Sequence, residues 1–231
     1  MPFNNLSIII PFKTDGKDRE RNWNWLKKRY QALMPEAELC IDELNVNPYC
    51  KSASINNAVR KSNREILLIV DADIIMSIED LEKAINKVYD KGIVAPSRLV
   101  KFSENATNKI LQNNDFNVAD SLIDNNTQVF NSISSGICII KKEIFKKCGG
   151  YDEIFKGWGN EDIAFSMCMH RVNGPIYRMP DFTMYHLYHQ LDNNHINSDN
   201  FIRNNILLNT LYKSQNIDKT IEFNIKANKF L

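Results

Sequence analysis

Short apolar runs alternate with longer stretches of mixed polarity in the first part of the chain, up to residue 96. Continuous apolar runs of this kind are typical of strands buried on both faces, and they lie at Leu6–Pro11, Ala37–Ile41, Glu65–Val70 and Gly92–Ala95. Apolar residues at helical spacing predict helices between these strands, at Lys17–Leu33, Ser52–Ser62 and Ile78–Tyr89. The order predicts an α/β fold in which helices flank a doubly wound, mostly parallel central sheet.

The second part of the chain has a weaker pattern, and residues 103–131 are polar and rich in Asn. Later elements are predicted as strands at Ile133–Ile140 and Ile176–Arg178 and as helices at Lys142–Cys148, Ile163–Val172 and Ile196–Tyr212. The last of these helices is expected to be the final packed element, because the tail after Ser214 is polar. No internal repeat or linker divides the chain, so residues 1–231 are predicted to form a single domain.

Composition narrows the class of protein. The chain has 231 residues, of which 43% are hydrophobic and 25% charged, with a formal net charge of +1. These values are typical of a soluble globular domain and give no basic field that would bind nucleic acid. No run approaches the roughly 18 to 20 apolar residues of a membrane span. Five cysteines without a CxxC pair favour reduced thiols and a cytoplasmic location.

Asp71-Ala72-Asp73 directly follows the predicted strand Glu65–Val70. Ligands of doubly wound sheets bind at the carboxyl ends of strands, and the two carboxylates would point the same way if the segment is extended. Carboxylates are oxygen ligands for Mg²⁺ or Mn²⁺, which bridge the phosphates of a nucleotide. The alternative is that these acids only end a strand in a loop.

The segment Gly157-Trp158-Gly159-Asn160-Glu161-Asp162 precedes a predicted helix. Two glycines allow a tight turn that brings the Trp158 indole to the surface of a cleft, where it can stack on a sugar ring. A carboxylate beside such a ring suits a general base for a hydroxyl nucleophile. The alternative is a helix start capped by Asn160, with two acids that match the helix dipole.

His186 and His189 are separated by Leu187 and Tyr188. Neutral imidazoles suit a transition metal such as Mn²⁺ when carboxylates supply the other ligands. On a helical turn both rings would face one site, whereas in a strand only one of them could bind. The alternative is a pair of structural histidines.

Lysines and an aromatic residue lie near the ends of the first two predicted strands. Lys13 follows the first strand, while Tyr49 and Lys51 open the second crossover helix together with Asn56. The lysines could hold a diphosphate and the Tyr49 ring could stack on a base. Solvated lysines on loops are the alternative interpretation.

Taken together, these segments resemble the GT-A glycosyltransferases of the beta-1,4-galactosyltransferase, chondroitin-synthase and family-2 group. The matching segments are IIIPFK (8–13), YCKSASIN (49–56), LLIVDADI (67–74), GWGNED (157–162) and HLYH (186–189). The resemblance implies a GT-A fold with a Rossmann-like sheet. It also implies metal-dependent, inverting transfer of a sugar from a nucleotide donor, with UDP favoured, to a carbohydrate acceptor in the synthesis of a glycan or polysaccharide.

The resemblance carries roles over to single positions. It implies a donor-binding half up to residue 96 and an acceptor-binding, catalytic half after it, with Asp162 as the catalytic base. The implied donor contacts are Pro11, Lys13, Asp42, Tyr49, Lys51, Asn56, Asp71, Ala72 and Asp73, and the implied acceptor contacts are Trp158, Gly159 and Glu161. Asp73, His186 and His189 are implied as ligands of Mn²⁺ or Mg²⁺, and which histidine binds directly is left open.

Two features depart from the resemblance. Asn160 replaces a glycine, and Asp15 stands where some members have a second arginine. The lack of the stem or membrane anchor of Golgi relatives favours a soluble enzyme of bacterial or viral origin. A nucleotidyltransferase is disfavoured because no Gly-rich phosphate loop follows the first strand. A catalytically inactive carbohydrate- or nucleotide-sugar-binding domain of the same fold is the remaining alternative.

Overall fold

A computed structural model describes residues 2–44, 46–113, 119–131, 137–190, 198–214 and 216–228. Within these ranges one eight-stranded sheet forms the centre of the molecule. Its strands are β1 (Leu6–Phe12), β2 (Glu38–Glu43), β3 (Ile66–Ile69), β4 (Ile74–Met76), β5 (Ile93–Lys101), β6 (Gln128–Phe130), β7 (Cys138–Lys141) and β8 (Tyr177–His186). The spatial order is β2-β1-β3-β7-β5-β8-β4, with β6 paired to β5.

The strand directions agree with the predicted fold class. β1 runs parallel to both β2 and β3, and β5 runs parallel to β8. β7 is antiparallel to β3 and β5, and the short strands β4 and β6 are antiparallel to β8 and β5. Most paired residues belong to the parallel ladders, so the predicted α/β fold with a Rossmann-like, mostly parallel sheet is confirmed.

Helices cover both faces of this sheet. They are α1 (Asp18–Leu33), α2 (Lys51–Lys61), α3 (Ile78–Lys91), α4 (Glu104–Asn113), α5 (Lys142–Lys147), α6 (Glu161–Asn173), α7 (Asp199–Leu207) and α8 (Ile217–Asn228). Alternate residues of β1 enter two different apolar clusters. Ile8 and Ile10 pack with α1 and α3, whereas Ile9 packs with α2, α6 and α8. Burial on both faces explains the continuous apolar run of β1.

Two strands that hold the site were not predicted correctly. The prediction had a strand only at Ile176–Arg178, but β8 continues to His186, and β4 was not predicted at all. Pro180 lies inside β8, and the next residue, Asp181, has a φ of 62°. In sequence, a proline followed by an aspartate indicates a turn. The part of β8 beyond these two residues was therefore not predicted. The strand predicted at Ile133–Ile140 is observed at Cys138–Lys141, and residues 132–136 lie outside the described ranges.

The C-terminal segment also differs from the prediction. The helix predicted at Ile196–Tyr212 is observed as α7 followed by a π-helical turn at Leu208–Tyr212, while residues 196 and 197 lie outside the described ranges. The polar tail forms the packed helix α8, so the expectation of no further packed element was wrong. The Asn228 amide donates to the carbonyls of Gly149 and Tyr151, at 2.6 and 3.2 Å. Hydrophobic periodicity does not detect packing of this kind. None of the described helices combines the length and apolarity needed to cross a bilayer.

Packing of α8 generates a stability prediction. Ile221 is 6% exposed and lies in the apolar cluster shared with α2 and α6, whereas Phe223 on the same helix is 67% exposed. Ile221→Ala should therefore lower the free energy of unfolding by about 2 to 4 kcal/mol and the melting temperature by roughly 5 to 15 °C. Phe223→Ala is the matched control and should change stability by less than about 0.5 kcal/mol. Equal melting temperatures for the two variants would contradict the packing of α8.

Candidate functional site

A tight turn presents two carboxylates beyond the buried strand β3. The backbone N–H of Ile74 donates to the carbonyl of Asp71 at 3.2 Å, which closes a turn over residues 71–74 before β4 begins. The segment is therefore not extended, so the geometry in which both carboxylates would point the same way does not apply. Asp71 and Asp73 have different partners, and Ala72 is buried between them.

Asp73 lies against two histidines because β4 pairs with β8. The ladder places Ile74 opposite His186, and the backbone N–H of Leu187 donates to the carbonyl of Asp73 at 2.8 Å. The Nε2 atoms of His186 and His189 lie 3.5 and 3.4 Å from the two oxygens of the Asp73 carboxylate. Both histidines therefore face one carboxylate.

His189 reaches this position without a helical turn or a strand. His186 is the last residue of β8, and the backbone that follows is irregular. The backbone N–H of Tyr188 donates to Thr107 Oγ1 at 2.7 Å, and the backbone carbonyl of Tyr188 accepts from the Asn22 amide at 2.9 Å. Contacts from α1 and α4 thus position His189. The two histidines therefore lie neither on one helical turn nor in one strand, which were the two geometries expected from the sequence.

The three side chains fit a divalent cation. Their ligand atoms all lie within 4.8 Å of one another. Adjacent ligands of an octahedral ion with bonds of about 2.1 Å lie about 3.0 Å apart, and opposite ligands about 4.2 Å apart. Asp73 is nearly fully buried, and its Oδ1 has no hydrogen-bond partner among the described residues. Burial lowers the pKa of His186, which favours the neutral imidazole that a metal requires. Two imidazoles favour a transition metal such as Mn²⁺ over Mg²⁺.

Lys51, the first residue of α2, bridges two carboxylates from different parts of the chain. Its Nζ lies 3.0 Å from Asp71 Oδ1 and 3.5 Å from Asp162 Oδ2. Although burial disfavours the charge, Asp162 and Asp71 hold the pKa of Lys51 well above its usual value. Burial likewise opposes ionisation of Asp71, but Lys51 holds the pKa of that carboxyl below its usual value. The ammonium and the Asp71 carboxylate are therefore both charged near neutral pH.

Glu161 and Asp162 form the first turn of α6 and have perturbed acidities. Burial and the neighbouring Asp162 raise the pKa of Glu161 to about 7. Burial raises the pKa of Asp162 above its usual value, although Lys51 opposes the shift. Glu161 Oε2 and Asp162 Oδ1 are buried and make no hydrogen bond within the part of the chain that is described. Such atoms are available to a ligand hydroxyl.

A turn that requires glycine presents Trp158 beside these acids. Gly157 and Gly159 have φ values of 73° and 101°, and a Cβ on Gly159 would lie 2.8 Å from the Phe201 ring. Trp158 is 48% exposed, and its ring lies 5.4 Å from that of Phe201. The Asn204 amide of α7 donates to the carbonyls of Lys156 and Gly159, each at 3.0 Å. α7 thus fixes the loop that carries the exposed indole.

Asn160 is the N-cap residue of α6 but does not cap the helix with its side chain, so that part of the alternative interpretation was wrong, whereas the two acids do lie in the first turn of the helix. The φ of Asn160 is 74°, and its amide donates to Asn205 Oδ1 of α7 at 2.9 Å. A left-handed residue at this position reverses the chain just before the helix begins, and asparagine tolerates that conformation better than most residues. Asn160 therefore joins the loop to α7 and leaves the N-terminus of α6 to Glu161 and Asp162.

Tyr49 and Lys13 border the same region. Lys13 Nζ lies 5.7 Å from the centre of the Tyr49 ring, and the Tyr49 carbonyl accepts from the Gly157 N–H at 2.7 Å. The second contact joins the segment before α2 to the loop that carries Trp158. Burial raises the pKa of the Tyr49 phenol.

Two of the expected donor contacts have internal partners instead. Asp42 pairs with Pro11 across the β1–β2 ladder, and its carboxylate binds Lys61 Nζ at 2.7 Å and accepts from the Asn57 amide at 3.2 Å. Asn56 is fully buried and bonds Tyr151 through both ends of its amide, at 2.8 and 3.0 Å. These geometries suit residues that position the strand ends and α2. A direct ligand contact by Asp42 or Asn56 stays a prediction.

Arg19 belongs to the site but was missed in sequence. Its Nε lies 3.9 Å from Asp73 Oδ2. The Asp15 carboxylate accepts from the backbone N–H groups of Lys17 and Arg19, at 2.8 and 3.1 Å, and so fixes the start of α1. Arg19 is the second residue of α1 and matches no sequence motif. Its position beside Asp73 is therefore visible only in the folded chain.

The chain is similar to known proteins in sequence and in fold. A family model described as "Glycosyltransferase like family 2" matches residues 38–190. No curated protein matches the chain significantly in sequence.

Three solved structures are similar to the chain, and the first two, with TM-scores above 0.5, confirm the predicted GT-A fold. S. aureus TarS in complex with UDP-GlcNAc is 15% identical, with a TM-score of 0.57 over 98% of this chain and 72% of that chain. GalNAc-T7 with UDP, GalNAc and Mn²⁺ is 11% identical, with a TM-score of 0.56 over 93% of this chain and 49% of that chain. A Drosophila beta1,4galactosyltransferase 7 catalytic domain with xylobiose is 16% identical over 80% of this chain and 71% of that chain, at a TM-score of 0.46.

The histidine–carboxylate cluster generates a prediction about metal binding. Asp73→Ala, His186→Ala and His189→Ala each remove one ligand atom and should weaken Mn²⁺ binding by at least about tenfold. His170→Ala, on the exposed face of α6, is the control and should bind Mn²⁺ like the unmodified protein. Calorimetry with Mn²⁺ alone measures the effect without any assumption about activity. Unchanged Mn²⁺ affinity in all three site variants would exclude the cluster as a metal site.

Proposed function

Because this chain belongs to the Glycosyltransferase like family 2, we propose that it transfers a hexose or N-acetylhexosamine from a nucleotide-sugar donor to a hydroxyl of a carbohydrate acceptor. The best candidate donor is a UDP-sugar, and the reaction depends on a divalent metal and inverts the anomeric centre. The family match confirms the family-2 part of the resemblance found in sequence. The galactosyltransferase or chondroitin-synthase subgroup stays a prediction.

One observation carries the proposal: a candidate metal site and a carboxylate suited to act as a base lie at the same end of the sheet. Asp73 follows β3 in the turn that also holds Asp71, and Lys51 connects Asp71 to Asp162. Ligands of open α/β sheets bind at the carboxyl ends of strands. Transfer of a sugar needs this proximity, because the leaving diphosphate and the attacking hydroxyl lie on opposite sides of one carbon.

The donor would bind across the N-terminal half of the chain, up to residue 96. Asp73, His186 and His189 would hold Mn²⁺, which neutralises charge on the departing diphosphate. Lys13 and Lys51 supply two ammonium groups for the same diphosphate, and the Tyr49 ring offers a face for the base. The UDP-GlcNAc complex of TarS and the UDP and Mn²⁺ complex of GalNAc-T7 support this choice of donor and metal by similarity of fold.

The acceptor would bind on the side of Trp158, in the half of the chain after residue 96. The exposed indole can stack on a sugar ring, and Glu161 offers an unpaired oxygen to a hydroxyl. Asp162 takes the proton of the attacking hydroxyl while the new bond to the anomeric carbon forms and the bond to the diphosphate breaks. The raised pKa of Asp162 makes its carboxylate a stronger base for this step.

A catalytically inactive domain of the same fold is the second candidate. Such a domain would bind UDP with Mn²⁺ and a glycan but would not catalyse sugar transfer or donor hydrolysis. The raised pKa values of Glu161 and Asp162 favour an enzyme, because perturbed acidities of this kind are typical of catalytic acids and bases. A screen of nucleotide-sugars with Mn²⁺ and Mg²⁺ for donor hydrolysis separates the two candidates.

Asp162 generates the prediction that tests the reaction itself. Asp162→Asn keeps the size of the side chain and removes the base, so turnover should fall about 10²- to 10⁴-fold. UDP should still bind in the presence of Mn²⁺, and the melting temperature should stay close to that of the unmodified protein. Asp218→Asn, in an exposed ion pair with Arg171, is the matched control and should keep full turnover.

Two other results would count against this role for Asp162. Turnover by Asp162→Asn near the unmodified rate would refute it and make Glu161 the next candidate base. A lower melting temperature with only a modest loss of rate would instead assign Asp162 to the stability of α6.

A further inference from the structure

Lys51 is shared between the two sides of the site. It approaches Asp71, on the side of the donor, at 3.0 and 3.3 Å. It approaches Asp162, on the side of the acceptor, at 3.5 Å. The ammonium group that should bind a diphosphate therefore also lies beside the candidate base.

This inference rests on the function proposed above. We propose that Lys51 acts as a donor-controlled latch on Asp162: its ammonium holds the base in the free protein and turns to the diphosphate when the donor binds. The Asp162 carboxylate is then released to the acceptor hydroxyl. The base would thus be fully available only in a site that already contains a donor.

The contact with Asp162 has the geometry of one that breaks easily. Charge-assisted N–H···O hydrogen bonds are usually about 2.7 to 2.9 Å long, and the 3.5 Å distance from Lys51 to Asp162 exceeds that range while the 3.0 Å distance to Asp71 is close to it. Lysine carries a compact charge on a flexible stem with three rotatable donors. Lys51 can therefore move its ammonium away from Asp162 without moving α2.

Charge balance favours this movement when a diphosphate arrives. Asp71, Glu161 and Asp162 all act on the single ammonium of Lys51, and Asp162 and Asp71 keep it protonated. A diphosphate adds negative charge beside these carboxylates and presents several strong acceptor oxygens to the same cation. Lysine is a common phosphate ligand, so the weakest of its existing contacts should be the one that is lost.

The consequence for Asp162 has a definite sign. A nearby cation lowers the pKa of a carboxyl, so departure of Lys51 raises the pKa of Asp162 and strengthens it as a base. The other titratable groups that act on it are Asp71, the neighbouring Glu161, the Cys138 thiol of β7 and the Tyr151 phenol. Burial raises the pKa of Cys138 to about 12 and that of Tyr151 well above its usual value, so both are neutral.

Proton uptake on UDP binding tests the latch without measuring turnover. UDP is titrated calorimetrically at saturating Mn²⁺ in two buffers of different ionisation enthalpy, at pH values from about 5 to 7, where raised carboxyls titrate. The unmodified protein should take up more protons per bound UDP than Asp162→Asn, because UDP raises the pKa of Asp162. Protons that UDP and the metal ligands take up or release contribute equally in both proteins, so they cancel when the proton uptake of the two proteins is subtracted.

Further variants assign the effect to Lys51. Lys51→Met should lose the extra proton uptake, whereas Lys51→Arg, which keeps a cation, should retain it. Lys83→Met, in the exposed pair with Glu79, is the matched control and should behave like the unmodified protein. In a protein that already carries Glu161→Gln, proton uptake on UDP binding should still be greater with Asp162 than with Asn at position 162. This result would show that Glu161 is not the source of the extra proton uptake.

The outcomes separate the latch from the proposed function. If the unmodified protein and Asp162→Asn bind UDP with equal proton uptake, the latch is refuted while the proposed function stands. Extra uptake that persists in Lys51→Met would also refute it, because the effect would not depend on the ammonium. Failure of the unmodified protein to bind UDP with Mn²⁺ would overturn the proposed function and the latch together.

Discussion

The short antiparallel ladder between β4 and β8 is the interaction on which the candidate site depends. It places Ile74 opposite His186, and the N–H of Leu187 bonds the Asp73 carbonyl just beyond it. Asp73 and the two histidines are more than a hundred residues apart in sequence, and this ladder brings these candidate metal ligands together. The same residues of β8, Met184–His186, pair with β5 on their other side, so the ladder adds β4 as the last strand beside β8.

Other contacts join the two halves of the chain at the same place. Lys51 of the N-terminal half reaches Asp162, and the Tyr49 carbonyl accepts from Gly157. Asn204 and Asn205 of α7 hold the loop that carries Trp158 from its other side. The candidate base is therefore positioned from both halves, and this arrangement underlies the proposed coupling of donor binding to base strength. The donor half and the acceptor half are therefore separate in sequence, but residues of both halves contact each other in the site.

Sequence was sufficient where local pattern and structure agree. β1, β2, β3 and the helices between them follow apolar runs and helical spacing closely. The segment Asp71–Asp73 and the histidine pair identified the members of the histidine–carboxylate cluster. Sequence was insufficient where tertiary contacts decide the geometry. Pro180 and Asp181 interrupt the pattern of β8, the position of His189 depends on Thr107 and Asn22, and Arg19 reaches Asp73 with no motif. Motif likeness alone also could not show that the polar groups of Asp42 and Asn56 have internal partners.

The anomeric configuration of the first product tests the central claim most directly. NMR can follow hydrolysis of α-linked UDP-sugars, with water as acceptor, before the released sugar equilibrates. The account predicts that the β-anomer forms first and that release requires Mn²⁺, because a single displacement from the side opposite the diphosphate inverts the carbon. Initial formation of the α-anomer, or equally fast release after removal of divalent metal, would contradict it.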